Sequence, residues 1–353
     1  MSIVSIISLY IISFILLFLD FVKCKGKGVV FGGFILILIL EAGFKDEYTS
    51  SDTNNYVIAY LNAPTIDKWT NISSFFYEPG YSFFQSLFKT FFPNDPTCFF
   101  LFIATLSIIC YSSIIWKHSK MPFFSLFIYI SFFYLTREII VIRYGLSSAL
   151  MLVALTHFIQ NNKTKFIFFS TIAFLFHYTA LSVLLLLCIY IIPKRKREKT
   201  LEFVVTLSFV LYFVHITILN IIIFITPFLP DFFSYAVNKG LRYLDSESSY
   251  GIKQILPLIP YCYILHKRQI LKGIKDYYCI LLFTLFLMLQ LNQAVTLARI
   301  GQMYLVIIVI LIPFVIKSAY RNKYAIISYS IIYCLYTFIR TTFFNTGGFI
   351  NVY

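Results

Sequence analysis

Residues Arg137 to His177 read REIIVIRYGLSSALMLVALTHFIQNNKTKFIFFSTIAFLFH, and this stretch decides how the chain is interpreted. Most of it is apolar enough to lie in lipid, yet Arg137, Arg143 and His177 lie inside or at the ends of its apolar segments. A charge at the centre of a bilayer costs about 2.5–3.5 kcal/mol even on insertion scales, so buried ionisable groups in membranes usually face a cavity, a partner or a ligand. These three residues are therefore the first candidates for a functional site.

The composition outside this stretch defines the class of protein. Hydrophobic residues make up 59% of the 353 residues and charged residues only 12%. Apolar runs of about twenty residues recur along the chain, and runs of that length cross membranes as helices. We therefore predict an all-α, polytopic integral membrane protein with about twelve transmembrane helices, in which residues 1–353 form a single membrane domain. The net charge of +14 then indicates basic cytoplasmic loops, and no nucleic-acid partner is expected.

The cysteines and the N-terminus narrow the class further. The seven cysteines are scattered, and the sequence has no CxxC and no Cys/His pair at zinc spacing. We expect no disulfide framework, no metal site and no cofactor. The first twenty residues, MSIVSIISLYIISFILLFLD, lack a basic start and a small-residue cleavage site, so we interpret them as a first span.

The distribution of charge predicts the topology. Most of the 29 Lys and Arg residues fall in six short loops, which the positive-inside rule places in the cytoplasm. Acidic residues concentrate in two other segments. Counting membrane spans from the basic loops places both of these segments on the outer side. These are a large outer (periplasmic) loop over 42–95 and a second outer loop over 230–252. Both termini are then outside.

Three segments carry specific structural predictions. Residues 165–192 lie between two basic loops, which favours a short helical hairpin with its break near His177, Tyr178 and Thr179. Residues 76–92 are aromatic-rich and favour an interfacial or re-entrant helix, begun by Pro79 after Glu78. Residues 201–229 are interpreted as one long tilted helix.

The polar residues predicted near the outer face form the candidate site. The planar fork of an arginine suits phosphate oxygens, so two or three converging arginines indicate a diphosphate clamp. A neutral imidazole at a hairpin tip can act as a general base or bind a sugar hydroxyl. The stripe from Arg143 to His157, through Ser147, is predicted to line a cavity. The candidates are Asp52, Glu78, Arg137, Arg143, His177, Tyr243 and Arg299.

Each candidate also has a structural interpretation. Arg143 could pair with Glu138 or Glu78 as a structural ion pair. Arg137 could snorkel from the end of its span, and Arg299 could be an interfacial anchor. His177 could be a core histidine, in which case Glu78 would be the base.

The order of five short motifs resembles that of the EpsG-like, Wzy-type polymerases of bacterial surface polysaccharides. The resemblance covers roughly residues 40–315. The motifs are Gly43 with Asp52 and Tyr56; Glu78-Pro79-Gly80-Tyr81; Arg143 with Gly145, Ser147 and Ser148; Phe176-His177-Tyr178-Thr179-Ala180-Leu181; and Arg299 with Tyr304.

The resemblance implies a fold like that of the GT-C glycosyltransferases and a specific reaction. Such a polymerase, of the kind that builds O-antigen and lipopolysaccharide, joins oligosaccharide repeat units linked to undecaprenyl diphosphate. It acts at the outer face of the bacterial inner membrane, without a metal. Arg143, Arg137 and Arg299 would then hold the diphosphate, and His177 or Glu78 would be the catalytic base. Asp52, Tyr81 and Tyr243 would contact the substrate, and membrane lipid and a chain-length regulator would be further partners.

Three other functions stay open from the sequence. An O-antigen ligase uses the same donor, but it typically has its large outer loop late in the chain, whereas here the largest is early. A flippase or transporter of lipid-linked oligosaccharide would need internal symmetry, and no repeat is found. An acyltransferase is favoured only by His177.

Overall fold

A computed structural model describes residues 3–46, 49–68, 77–214, 216–217, 220, 224, 226–228, 255–267, 274–291, 295–318 and 322–344. All regular secondary structure in these residues is helical, as predicted. Six of the described helical segments are long and apolar enough to cross a membrane: Ile3–Asp20, Thr97–His118, Pro122–Ile140, Ile142–Ile159, Leu297–Ser318 and Lys323–Phe343. The chain is therefore an integral membrane protein, while the count of about twelve spans stays a prediction.

The chain divides into two compact units, residues 1–178 with 312–353 and residues 179–311. The helices of the first unit are α1 (Ile3–Leu16), α2 (Lys27–Gly43), α3 (Ser51–Asn62), α4 (Pro79–Phe91), α5 (Thr97–His118), α6 (Pro122–Tyr129), α7 (Ile142–Ile159) and α8 (Lys163–Phe176). The second unit contains α9 (Val183–Ile191), α10 (Lys194–Phe213), α11 (Ile259–Lys267), α12 (Lys275–Gln290) and α13 (Val295–Tyr304). α14 (Ile308–Ser318) begins in the second unit and ends in the first, which α15 (Lys323–Ile339) completes.

Helix α7 forms the centre of the first unit. It packs between α5 and α8, and nearly every residue from Tyr144 to Phe158 is buried. A π-helix, Ile130–Ile140, continues α6 and packs against α7 and α15. The π-helix ends at Val141, whose backbone (φ −108°, ψ 66°) leaves the helical conformation before α7 begins. This break separates Arg137 from Arg143.

Two predicted helix boundaries are confirmed. α4 begins at Pro79 with Glu78 as its N-cap residue, as the Glu-Pro-Gly sequence predicts. α8 ends at Phe176, and His177 has extended backbone (φ −159°, ψ 125°) before a 3₁₀-helix over Tyr178–Ser182. The predicted break at His177 is therefore present; the return of the chain as a hairpin stays a prediction.

The prediction of one helix over 201–229 is wrong at both ends. α10 begins at Lys194, so it includes the basic run that we expected to be a loop, and it ends at Phe213. Lys and Arg are good helix formers, which explains the early start. After the helix, the backbone N–H and hydroxyl of Thr217 donate to Asn220 Oδ1 over 3.1 and 2.5 Å. Such local bonds compete with helical ones and favour a turn.

Candidate functional site

Three of the sequence motifs meet around the carboxylate of Glu78. Arg143, in the first turn of α7, forms an ion pair with Glu78 through Nη1 and Oε2. The other carboxylate oxygen accepts a hydrogen bond of 3.4 Å from the backbone N–H of Tyr178, which follows the break at His177. Glu78 is buried, whereas 18% of the Arg143 side chain is exposed. The structure therefore joins the start of α4, the start of α7 and the end of α8.

Two glycines allow these backbones to approach. A Cβ at Gly80 would lie 2.8 Å from the carbonyl oxygen of Leu175, near the end of α8. A Cβ at Gly145 would lie only 2.2 Å from the carbonyl oxygen of Arg137. Both contacts are with backbone atoms, which cannot rotate away as a side chain can. Glycine is therefore needed next to Glu78 and next to Arg143 for close packing.

Three tyrosines surround the Arg143 guanidinium. Its carbon lies 4.0 Å from the centre of the Tyr77 ring, 5.7 Å from Tyr56 and 5.8 Å from Tyr81. Cations at these distances are attracted to the ring faces. Burial raises the pKa of Tyr56 to about 12, so its phenol stays protonated at neutral pH. The arginine is therefore fixed in position by aromatic rings as well as by Glu78.

One hydrogen-bond donor of Arg143 remains available. Its buried Nε–H has no hydrogen-bond partner within the described residues. A buried donor without a partner is rare and usually indicates an absent water, ion or ligand. An anionic oxygen reaching this nitrogen would supply the missing acceptor.

Asp52 and Tyr81, both predicted to contact substrate, lie beside this cluster. Asp52 is in the first turn of α3 and interacts electrostatically with Tyr56 and Tyr77. Tyr81 is fully buried and packs edge-on against Phe99, with 5.1 Å between ring centres. Its buried hydroxyl has no hydrogen-bond partner among the described residues, and the prediction that Tyr81 contacts substrate stays a prediction.

His177 is linked to Arg137 through an aromatic ring. The buried imidazole packs edge-on against Tyr144, with ring centres 5.4 Å apart. The guanidinium of Arg137 lies 5.1 Å from the centre of the same ring. Tyr144 therefore separates the histidine from the buried arginine, and it follows Arg143 directly in sequence.

Arg137 is an internal residue. It is 4% exposed, donates to the Tyr111 hydroxyl over 2.9 Å and stacks on Phe133 at 4.3 Å. Tyr111 in turn shares a 2.8 Å hydrogen bond with Ser148 of α7. The interpretation that Arg137 snorkels towards water is therefore wrong, because these bonds hold its head group inside the protein.

The sequence pattern of the EpsG family matches residues 29–353, which is most of the chain. The protein belongs to the EpsG family. No curated protein and no solved structure matches it. Membership indicates a function of the polysaccharide-polymerase type, consistent with the membrane-spanning helices and the resemblance stated above.

The predicted cavity stripe of this EpsG-family chain is a packing surface. The Ser147 hydroxyl donates to the carbonyl oxygen of Ala173 in α8 over 2.8 Å, and Leu150 and Ala154 are buried. His157 stacks on Phe169 of α8, with ring centres 5.6 Å apart. The prediction that the stripe lines a cavity is wrong, because its small residues let α8 pack closely against α7.

Sequence reasoning missed a polar cluster at the end of the π-helix. The buried Lys45 ammonium donates to the carbonyl oxygens of Ile139 (2.9 Å) and Glu138 (3.3 Å). The Glu138 carboxylate accepts hydrogen bonds from Ser107 (2.9 Å) and Tyr129 (3.0 Å). In sequence, Lys45 is 93 residues from Glu138, Ser107 is 31 and Tyr129 is 9. Periodicity along the sequence could not indicate these contacts. π-Helices are frequent at functional sites.

The remaining predicted residues belong to the second unit or are outside the described residues. Arg299 is in α13 of the second unit and is partly exposed. Tyr304, the aromatic residue of the same motif, donates to the Ser182 hydroxyl over 3.1 Å. Tyr243, with the whole of the predicted outer loop over 230–252, is outside the described residues. Within the described ranges, His, Cys, Asp and Glu side chains form no group that could hold a metal ion.

Proposed function

We propose that this EpsG-family protein is a membrane glycosyltransferase of the Wzy type, with a GT-C-like fold. It would polymerise oligosaccharide repeat units carried on undecaprenyl diphosphate, with its site facing outward from the bacterial inner membrane. The observation that carries the proposal is Arg143, which is partly exposed, is held by Glu78 and three tyrosines, and has a buried Nε–H without a partner among the described residues. Guanidinium groups bind phosphate oxygens through paired N–H donors.

The reaction defines what the site must do. A hydroxyl of the acceptor sugar attacks the anomeric carbon of the donor, and the bond from that carbon to the diphosphate oxygen breaks. The electron pair leaves with the lipid diphosphate, and the hydroxyl proton passes to a base. Arg143 would stabilise the charge that develops on the leaving diphosphate.

We assign the base to His177 and a positioning role to Glu78. Both oxygens of Glu78 already accept donors, from Arg143 and from the Tyr178 N–H, so its carboxylate orients the arginine. His177 directly precedes Tyr178, and its ring packs against Tyr144, the residue that follows Arg143 in sequence. A neutral imidazole is suited to take a proton from a sugar hydroxyl.

Substitution of Arg143 in cells tests the proposal. Arg143→Ala should abolish long polymer, since removing a donor to developing charge typically costs about 10²–10³ in rate. Arg143→Lys should retain short chains only, because lysine keeps the charge but loses the planar fork. The measurement is polysaccharide ladder length at equal protein level. Lys120→Ala, which removes an exposed positive charge far from the cluster in sequence, is the control and should give normal ladders.

Purified protein with lipid-linked repeat units separates the remaining roles. His177→Gln should bind the donor normally and fail to turn it over, whereas Glu78→Gln should bind it more weakly. Normal ladders from Arg143→Ala would refute the phosphate role. Normal turnover by His177→Gln would refute the base assignment alone.

A further inference from the structure

Helix α10 of the second unit carries acidic side chains that have partners and three basic side chains that have none among the described residues. Its two glutamates both have partners. Glu202 accepts from the Tyr278 hydroxyl over 3.0 Å and contacts His266 Nδ1 at 2.8 Å, and Glu198 forms an ion pair of 2.9 Å with Lys275. Both acidic groups of the helix thus have partners on its neighbours α11 and α12.

Three basic side chains of α10 carry positive charge that no described residue compensates. The side chains of Arg195, Lys196 and Lys199 are exposed and have no hydrogen bond or ion pair with any described residue. Together with Thr200 and Phe203 they line an open depression of about 680 Å³. An open site with three cations and a hydroxyl is suited to an anionic group.

An apolar track leads away from this depression. Phe203, Leu207 and Val210 follow Lys196 and Thr200 at alternating steps of four and three residues, which places them on one side of the helix. They are 67%, 45% and 56% exposed, respectively. From Lys199 to Val210 the helix rises about 16 Å, comparable to much of one leaflet of the hydrocarbon core.

We propose that this face of α10 binds an anionic phospholipid. The phosphate of the headgroup would lie among Arg195, Lys196 and Lys199, and an acyl chain would follow Phe203, Leu207 and Val210. The three cations and the apolar track together favour a lipid over other anions. Free phosphate would contact only the cations, and an acidic protein would gain no binding energy from an apolar track that continues into the bilayer. Basic side chains at a membrane surface attract anionic headgroups while their stems stay in apolar surroundings. The proposal does not depend on the glycosyltransferase function.

The test uses full-length protein in bilayer discs of phosphatidylcholine containing a labelled phosphatidylglycerol. The variant Arg195→Gln/Lys196→Gln/Lys199→Gln should lose at least about tenfold in affinity for the labelled lipid. The matched control, Lys23→Gln/Lys25→Gln/Lys120→Gln, removes three exposed charges from other loops and should bind as the wild type does. Thermal unfolding midpoints should agree among the three proteins, because the substituted side chains are exposed and make no described bond.

Two further arms separate lipid from free anion. Inorganic phosphate in excess should not displace labelled phosphatidylglycerol. Phe203→Ser should weaken binding of a long-chain phosphatidylglycerol several-fold and leave a six-carbon-chain analogue unchanged. Equal loss in the matched control, or displacement by phosphate, would overturn the proposal. Equal effects of Phe203→Ser on both chain lengths would overturn the acyl-chain track.

Discussion

Replacing Gly145 by alanine tests whether the backbone contact between α7 and the π-helix organises the site. The new Cβ would lie 2.2 Å from the Arg137 carbonyl oxygen and 2.8 Å from its carbonyl carbon. Relief requires α7 and the π-helix to separate by about 1 Å, and overpacking of this kind typically costs about 1–3 kcal/mol. Alanine regains about 0.5–1 kcal/mol of helix propensity. The difference is a net destabilisation of about 0–2.5 kcal/mol, and we expect the upper half of that range because the clash is with backbone atoms.

The assay is thermal unfolding of the full-length protein in one detergent, with Gly32→Ala as the matched control. Gly32 lies inside α2, and a Cβ there would meet nothing within 4 Å. The control should therefore unfold at or above the wild-type temperature, and Gly145→Ala clearly below it. If the two variants unfold together, the contact with Arg137 is not tight in solution and the packing argument fails.

Two further substitutions probe neighbouring contacts. Tyr77→Phe should preserve polymer length and Tyr77→Ala should shorten it, because the ring centre lies 4.0 Å from the Arg143 guanidinium and such a contact contributes about 0.5–2 kcal/mol. Equal ladder lengths from Tyr77→Phe and Tyr77→Ala would show that the Tyr77 ring does not contribute to the site. Ser147→Ala should lower the free energy of unfolding by about 0.5–1.5 kcal/mol, since it removes the 2.8 Å hydrogen bond to the Ala173 carbonyl, which keeps its 3.0 Å bond from the His177 N–H. Ser113→Ala should have little effect, because this exposed hydroxyl bonds within its own helix, and a larger loss there than at Ser147 would contradict this account.

The sequence was sufficient to find the central cluster. Intramembrane charge is costly, so Arg143 stood out from its apolar surroundings, and the Glu-Pro-Gly sequence predicted where α4 begins. The break at His177 is predicted because basic loops flank the apolar segment on both sides, and a single pass would place the second loop outside. Glu78 had been named as an ion-pair partner for Arg143, and the structure places the two in contact.

The sequence was insufficient where tertiary contacts decide. Whether Arg137 reaches water or turns inward depends on Tyr111, which is 26 residues away. The buried Lys45 ammonium donates hydrogen bonds to carbonyl oxygens of the π-helix, which lies more than ninety residues further along the chain. The end of α10 depended on side-chain bonds between Thr217 and Asn220, which hydropathy does not register.

The two arginines of the opening stretch have different roles because the chain breaks between them. The π-helix places Arg137 against Phe133, Tyr111 and Tyr144, where its donors and its charge are used inside the protein. After the break at Val141, Arg143 instead contacts Glu78, its head group is partly exposed, and its Nε–H has no partner in the part of the chain that the structure describes. A buried arginine that is already satisfied cannot gain much from a new anion, whereas one with an orphan donor can. We therefore propose that an anionic substrate binds to Arg143 and that Arg137 stabilises the junction between the π-helix and α7.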